Sequence, residues 1–323
     1  HHPRKRNPFE ARRGSRTVKA IFHRHLQTMS TITGKTNLVG LIGQPVNHSL
    51  SPVMHNAAYA EMGLDWCYVG IPCDKANLEQ VIKALRLINF KGLNITIPHK
   101  NEVLKSCHKL TSIANDIQAV NTLIPEKNNQ WVGANTDVEG FLIPLKNQNL
   151  IGKNAIVIGC GGSARAVLMG LISLNIKKIT IIGRNENSLN IFVKSMKKIS
   201  INSKVLIEGI NHKKENIAPY IQAADLIVNT TPIGMNCKNN TEDSIPLGYE
   251  IWENLSNKTT LYDLIYTPRP TNWLKIGKQN NCFTIDGLDM LVGQGALSIK
   301  LWSGIDNVPT EIMKSSAKKH LML

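Results

Sequence analysis

Short apolar runs alternate with stretches of helical period from Leu38 onward. The runs at 38–42, 66–71, 92–97, 154–158, 178–182, 224–229 and 260–263 are short and bounded by helix breakers or polar residues, so each predicts a β-strand. Two more strands are expected at 119–124 and 130–134, paired across a turn at 125–129. Helices are predicted over 52–61, where Gly63 ends the pattern, and over 77–88, 101–114, 137–145 and 163–174. Residues 291–302 and 310–320 read as terminal helices. Alternation of this kind predicts an α/β fold. No internal repeat is visible, and the Asn-rich patch at 236–240 reads as a loop.

With 323 residues the chain has room for one large or two medium domains. Hydrophobic residues at 42% and charged residues at 19% are ordinary for a soluble globular protein. No apolar run approaches the ~18 residues needed to cross a bilayer. Six cysteines show neither C-x-x-C nor zinc spacing, which predicts reduced thiols, no metal site and a cytoplasmic location. A net charge of +15 raises nucleic acid as a partner. Residues 1–29, however, hold six arginines, two lysines and one glutamate, which is +7 of that total. The remaining +8 is spread without a concentrated stripe, so no nucleic-acid partner is expected. The Arg-rich segment 1–29, opening on His1-His2 and preceding Met29-Ser30, reads as a tag-derived leader, with a transit peptide as the rival.

Three groups of residues carry candidate chemistry. In the first, Asn94-Ile95-Thr96-Ile97-Pro98-His99-Lys100 is an apolar strand that delivers a threonine hydroxyl and a lysine ammonium at its exit. Asn135-Thr136-Asp137 places a carboxylate after another strand. A lysine and an aspartate meeting at adjoining strand ends would handle protons; most such combinations are surface charges of little consequence. Next, Gly159-Cys160-Gly161-Gly162-Ser163-Ala164 follows a strand and opens a helix, which is the context of a dinucleotide-binding turn. A glycine-rich turn kept only for packing is the alternative. Where an NAD site carries a carboxylate for the ribose 2′-hydroxyl, this chain has Gly183-Arg184-Asn185. An arginine suits a 2′-phosphate and favours NADP, although Glu186 and the lack of a second basic residue nearby weigh the other way. A surface cap is the plain role for Arg184. In the third group, Ser49 and Ser51 precede Pro52 and can converge on one anion, or Ser51 can simply cap the helix. His48, His55 and His99 lie nearby, but lysine already fills the acid/base position and no metal-ligand set surrounds them.

Taken together, these segments resemble the shikimate dehydrogenase family over nearly the whole chain after Met29. Ser49-Leu50-Ser51-Pro52, the strand exit at 94–100, Ala119-Val120-Asn121-Thr122, 133–137, the glycine turn, 229–235 and 287–294 match in order. The resemblance implies a two-domain α/β fold, with a Rossmann-type NADP-binding domain at 137–290 and an α/β substrate-binding domain at 36–136. Helices at 291–323 would complete the substrate domain. It implies NADPH-linked, reversible reduction of 3-dehydroshikimate to shikimate, in aromatic amino acid biosynthesis. Lys100 and Asp137 would be the acid–base pair. Ser49, Ser51 and Tyr266 would hold the substrate carboxylate, and Thr96, Asn121, Asp137 and Gln294 would face its ring hydroxyls. Gly159, Gly161, Gly162, Ser163, Ala164, Arg184, Asn185, Thr230, Gly287 and Met290 would hold the cofactor. The family's fuller basic cluster after Arg184 is interrupted here by Asn185-Glu186-Asn187. An NAD-linked quinate/shikimate dehydrogenase and a non-catalytic nucleotide- or metabolite-sensing paralogue are the competing readings. A small-molecule substrate and a monomer or homodimer are expected.

Overall fold

The computed structural model describes residues 31–322 apart from Lys238; the leader at 1–29 lies outside the described residues. Two six-stranded sheets follow one another along the chain. The first contains β1 (Asn37–Gly43), β2 (Trp66–Pro72), β3 (Gly92–Ile95), β4 (Lys109–Leu110), β5 (Thr122–Glu126) and β6 (Gln130–Ala134). Its order is β2-β1-β3-β5-β6-β4, with β1 parallel to β2 and β3, and β5 antiparallel to both β3 and β6. Two reversals leave β3 and β6 running the same way, so their C-terminal ends share a rim.

Helix α1 (Ser51–Met62) covers this sheet and ends at Gly63, whose left-handed φ of 66° lets its N–H reach back to the last turn. Helix α2 (Leu78–Leu87) covers the opposite face, burying Leu78 and Ile82 against Ile42, Leu93 and Ile95. The helix expected over 101–114 does not form. The segment instead holds a short 3-10 turn, strand β4 and helix α3 (Ser112–Ile117). Lys109 and Leu110 pair with Val132 and Gly133, so ladder bonds to an otherwise open sheet edge override the local helical pattern.

Chain 137–145 crosses between the sheets as α4 (Asp137–Leu142) and a 3-10 turn. The second sheet comprises β7 (Asn154–Ile158), β8 (Lys178–Gly183), β9 (Leu206–Asn211), β10 (Leu226–Asn229), β11 (Thr260–Asp263) and β12 (Phe283–Ile285). All its pairs are parallel, in the order β12-β11-β10-β7-β8-β9, which is the doubly wound arrangement of a dinucleotide-binding fold. Helices α5 (Gly162–Ser173), α6 (Glu186–Ile199), α7 (Ala218–Ala223) and α8 (Asn272–Gln279) cover both faces. Successive β7 residues alternate between two cores: Ala155 and Val157 pack with α5 and α6, Ile156 and Ile158 with Trp252 and Trp273. A strand buried on both sides reads as an unbroken apolar run for that reason.

Helix α9 (Leu288–Ser303) returns to the first sheet, three residues earlier than the pattern suggested, and α10 (Thr310–Leu321) follows it. Leu288, Val292 and Ile299 of α9, with Met313 and Ala317 of α10, share a core with Val39, Leu41, Met54 and Tyr59. Helices α4 and α9 cross closely because Gly140 lacks a side chain; a Cβ there would lie 2.9 Å from the Met290 carbonyl oxygen.

Candidate functional site

The shared rim of β3 and β6 sets the site. Residue Lys100 leaves the β3 end and Asp137 begins α4 just beyond β6, and their side chains meet at 2.7 Å, 12% and 8% exposed. The Lys100 ammonium also donates to the Ser163 hydroxyl at 3.2 Å, in the first turn of α5. One lysine therefore touches both halves of the molecule. Asn135 holds the carboxylate's backbone in place, its Oδ1 accepting from the N–H groups of Asp137 and Val138.

Behind the pair lies a buried polar network. Asn94 and Thr122 face each other across β3 and β5, and Thr122 faces Ala134 across β5 and β6. The Asn94 carboxamide accepts from the Tyr68 phenol at 2.9 Å and donates to Ser298 Oγ at 2.9 Å and Thr122 Oγ1 at 3.1 Å. The Asn121 carboxamide donates to Thr136 Oγ1 at 2.8 Å and to Gln294 Oε1 at 3.5 Å, while its Oδ1 accepts the Thr136 N–H. An asparagine inside an apolar strand must be satisfied in this way to be tolerated. Asn94, Thr122, Thr136, Tyr68 and Ser298 were not selected from the sequence as site residues. For Asn94 the signal was there: a carboxamide between Leu93 and Ile95 in the run 92–97. Tyr68 and Ser298 meet it from far along the chain, which no local pattern foretells.

Ser49 and Ser51 sit where β1's exit loop turns into α1. Ser51 does not cap the helix; the Ser49 hydroxyl accepts the Ser51 N–H at 3.1 Å instead. The Tyr266 phenol reaches Ser49 and the Leu50 backbone, and burial pushes its pKa up despite those bonds. Burial likewise raises the Tyr68 phenol, which contacts Ser51. Four hydroxyls thus gather from β1's exit, α1, β2 and the loop after β11. Thr96 stands beside Gly43, close enough that a Cβ on the glycine would come within 2.3 Å of its methyl. Among the histidines, His48 is exposed, whereas His55 stacks on Tyr68 at 4.1 Å and full burial lowers it to about 3. His99 is buried with Nε2 on the Cys73 carbonyl at 2.6 Å. Both serve the core.

At the end of β7, Gly159 adopts φ +111°, and a Cβ there would lie 2.5 Å from Thr230 Oγ1. Thr230 itself donates to the Ile158 carbonyl. A Cβ on Gly161 would meet nothing within 4 Å, and α5 starts there without a side-chain cap. Protein packing gives no reason for glycine at 161, whereas an anion at uncapped N–H groups does. These residues fit a dinucleotide pyrophosphate. Gly162 abuts Lys100, its notional Cβ 3.1 Å from the lysine's own, and Ala164 is fully buried under the strand. Burial pushes the Cys160 thiol up to about 11, which takes thiolate chemistry out of the turn. Arg184 is exposed just past β8, and Asn185 caps α6 by accepting the Ser188 N–H. Gly287 is required by packing, since a Cβ would come 1.8 Å from the Leu264 carbonyl oxygen; Met290 is buried beside Phe141 and Tyr262.

One buried acid was missed in the sequence. Asp263 ends β11 fully buried, accepting from Asn229 Nδ2 at 3.1 Å, Thr271 Oγ1 at 2.8 Å and the Ile265 N–H at 3.2 Å. Burial raises it to about 7. Because it draws the Asn229 amide N–H, the Asn229 oxygen is left to hold the Thr231 N–H and hydroxyl. The turn carrying Thr230 is thereby fixed.

Two family models match the chain: one described as shikimate dehydrogenase substrate binding domain over residues 41–123, the other as Shikimate 5'-dehydrogenase C-terminal domain over 287–318. A shikimate dehydrogenase (NADP(+)) of Prochlorococcus marinus (strain MIT 9515) is 48% identical over 290 residues, covering 90% of this chain and all of the relative. This chain belongs to the shikimate dehydrogenase family. A crystal structure of shikimate dehydrogenase in complex with NADP+ superposes with a TM-score of 0.79 at 35% identity, over 90% of this chain and 98% of that one. A shikimate 5-dehydrogenase from Thermus thermophilus, solved with NADP(H) and shikimate, gives 0.73 at 28% identity, over 88% and 99%. Among the described residues no helix is long and apolar enough to cross a membrane, and no cluster of three or more His, Cys, Asp or Glu could hold a metal.

Proposed function

We propose that this chain catalyses the reversible, NADPH-dependent reduction of 3-dehydroshikimate to shikimate, a step of aromatic amino acid biosynthesis, as a cytoplasmic enzyme. The observation that carries this reading is the Lys100 ammonium held between Asp137 and the first turn of the nucleotide helix. A proton donor lies there beside the dinucleotide turn. NADPH, when bound, supplies the hydride that adds to the ketone carbon. As that addition forms the new C–H bond, the carbonyl π pair shifts onto oxygen, which becomes alkoxide-like; Lys100 stabilises it and delivers the proton that makes the alcohol. Asp137 orients the ammonium and stabilises the cation before the transfer. In the oxidative direction the same nitrogen takes the hydroxyl proton.

In this reading Ser49, Ser51 and Tyr266 hold the substrate carboxylate with neutral donors, while Thr96, Asn121, Asp137 and Gln294 take the ring hydroxyls. The buried network explains why such groups are usable. The orientations of Asn121, Gln294 and Asp137 are set by hydrogen bonds before substrate arrives, so little ordering cost falls on their contacts. Residues 159–164 would hold the pyrophosphate, with Arg184 and Asn185 at the ribose end and Thr230, Gly287 and Met290 toward the nicotinamide side. The relatives' NADP specificity and the intact Lys100–Asp137 pair stand against both the NAD-linked quinate reading and the sensor reading. An absorbance assay at the nicotinamide band, with dehydroshikimate and each reduced cofactor, is the test. Oxidation of NADPH that depends on dehydroshikimate and clearly exceeds that of NADH is expected. Its absence would overturn the assignment.

A further inference from the structure

The ribose end of the cofactor site holds an apparent contradiction. Arg184 suits a 2′-phosphate, yet Glu186, two residues on, opens α6 with a carboxylate. A carboxylate in that corner does two unwanted things for an NADP enzyme: it repels a phosphate dianion, and it can accept the 2′-hydroxyl of NAD. A helix N-terminus that holds one anion is also less attractive to a second.

The neighbouring strand answers it. In parallel register, Gly183 of β8 stands opposite Asn211 of β9. The chain beyond β9 folds onto the β8 end, where His212 donates both its backbone N–H, at 3.2 Å, and Nδ1–H, at 3.1 Å, to the Gly183 carbonyl. Asn211 Oδ1 accepts the Lys213 N–H, which tightens the turn. Lys214 is carried into an ion pair with the Glu186 carboxylate. The two partners are 63% and 52% exposed, so the pair adds little to folding stability. Its effect is on the local potential.

We propose that Lys214 is a specificity-determining residue for the 2′-phosphate: by holding and neutralising Glu186 it leaves the Arg184 guanidinium to pair with a phosphodianion. The cation that is missing after Arg184 along the sequence is supplied from the next strand over. This rests on the NADP reading above and adds to it the residue that makes the preference compatible with Glu186.

The test uses the full chain and two adenine nucleotides, 2′,5′-ADP and 5′-AMP, titrated by calorimetry at low and high salt. These probe the ribose corner without any turnover. The wild type should bind 2′,5′-ADP more tightly than 5′-AMP, and Arg184→Ala should abolish the difference; equal wild-type affinities would defeat the NADP reading itself. Lys214→Ala should cut the 2′,5′-ADP preference about 3–10-fold at low salt, with the loss shrinking as salt is added. Lys214→Ala combined with Glu186→Gln should restore the wild-type preference. If Lys214→Ala retains that preference while Arg184→Ala loses it, the proposal fails and the NADP reading survives. A double variant no better than Lys214→Ala, or a loss indifferent to salt, overturns the neutralising role.

Discussion

Two lysine–carboxylate pairs mark the two ends of the site, and they are built on opposite principles. Lys100 and Asp137 are enclosed, backed by a network in which Asn94, Asn121, Thr122, Thr136 and Ser298 satisfy one another. Lys214 and Glu186 stand in solvent on two surface elements. The enclosed pair acts at short range, where one misplaced atom alters the chemistry. The exposed pair acts through a screened field, where only net charge matters and salt erases the effect. On the roles proposed above, substrate chemistry is held by geometry, and cofactor choice is tuned by charge.

Perturbing each region sharpens that contrast. The largest effect is expected from Lys100→Ala, with kcat falling about 10²–10⁴-fold while the substrate KM stays near wild type. Steady-state kinetics at saturating NADPH would show it, and near-normal turnover would remove Lys100 from the proton step. Next comes Asp263, whose native carboxyl is raised to about 7 by burial. The folded state then binds more protons than the unfolded chain from about pH 4 to pH 7, so this group's contribution to stability falls as pH rises through that window. Asp263→Asn should cancel the decline, gaining on the wild type by up to about 4 kcal/mol across the window. Melting curves for both proteins at each pH measure the difference, and parallel pH profiles would contradict it.

Removing the network's hub, Asn94→Ala, should cost about 2–4 kcal/mol, since Tyr68 Oη, Ser298 Oγ and Thr122 Oγ1 each lose one buried bond. A denaturant midpoint that does not move would mean water replaces the carboxamide at no cost. Smallest is Ser49→Ala, which should raise substrate KM about 5–10-fold with kcat held. An unchanged KM would confine Ser49 to its hydrogen bond with the Ser51 N–H.

Much of this architecture was legible because most strands of the second sheet are buried on both faces, and the runs at 154–158 and 260–263 coincide with β7 and β11. The elements overlooked were α6 to α8 and the two outer strands. For α6 the signal was present: Leu189, Phe192, Val193 and Met196 are buried at helical spacing. β9 and β12 are edge strands, where Leu206 and Phe283 face solvent and blur the alternation. At 101–114 the local pattern misled, because Lys109–Leu110 is held by its ladder to β6. The site divides in the same way. Glycine turns and strand exits are contiguous and announce themselves, whereas the contacts of Lys100 with Ser163, Asn94 with Ser298 and Glu186 with Lys214 join positions that only the completed topology brings together.

The return of α9 and α10 to the first sheet has a bearing on how a ribosome makes this protein. Every strand of the second sheet emerges before α9 does, so that sheet has all its strands while synthesis is still under way. The sheet translated first has its strands earlier still, yet one of its faces lacks its cover. Val39, Leu41, Met54 and Tyr59 wait with a bare apolar face until Leu288, Val292, Ile299 and Met313 emerge to cover them. The earliest-made half therefore keeps an apolar face open until the last two helices are in place.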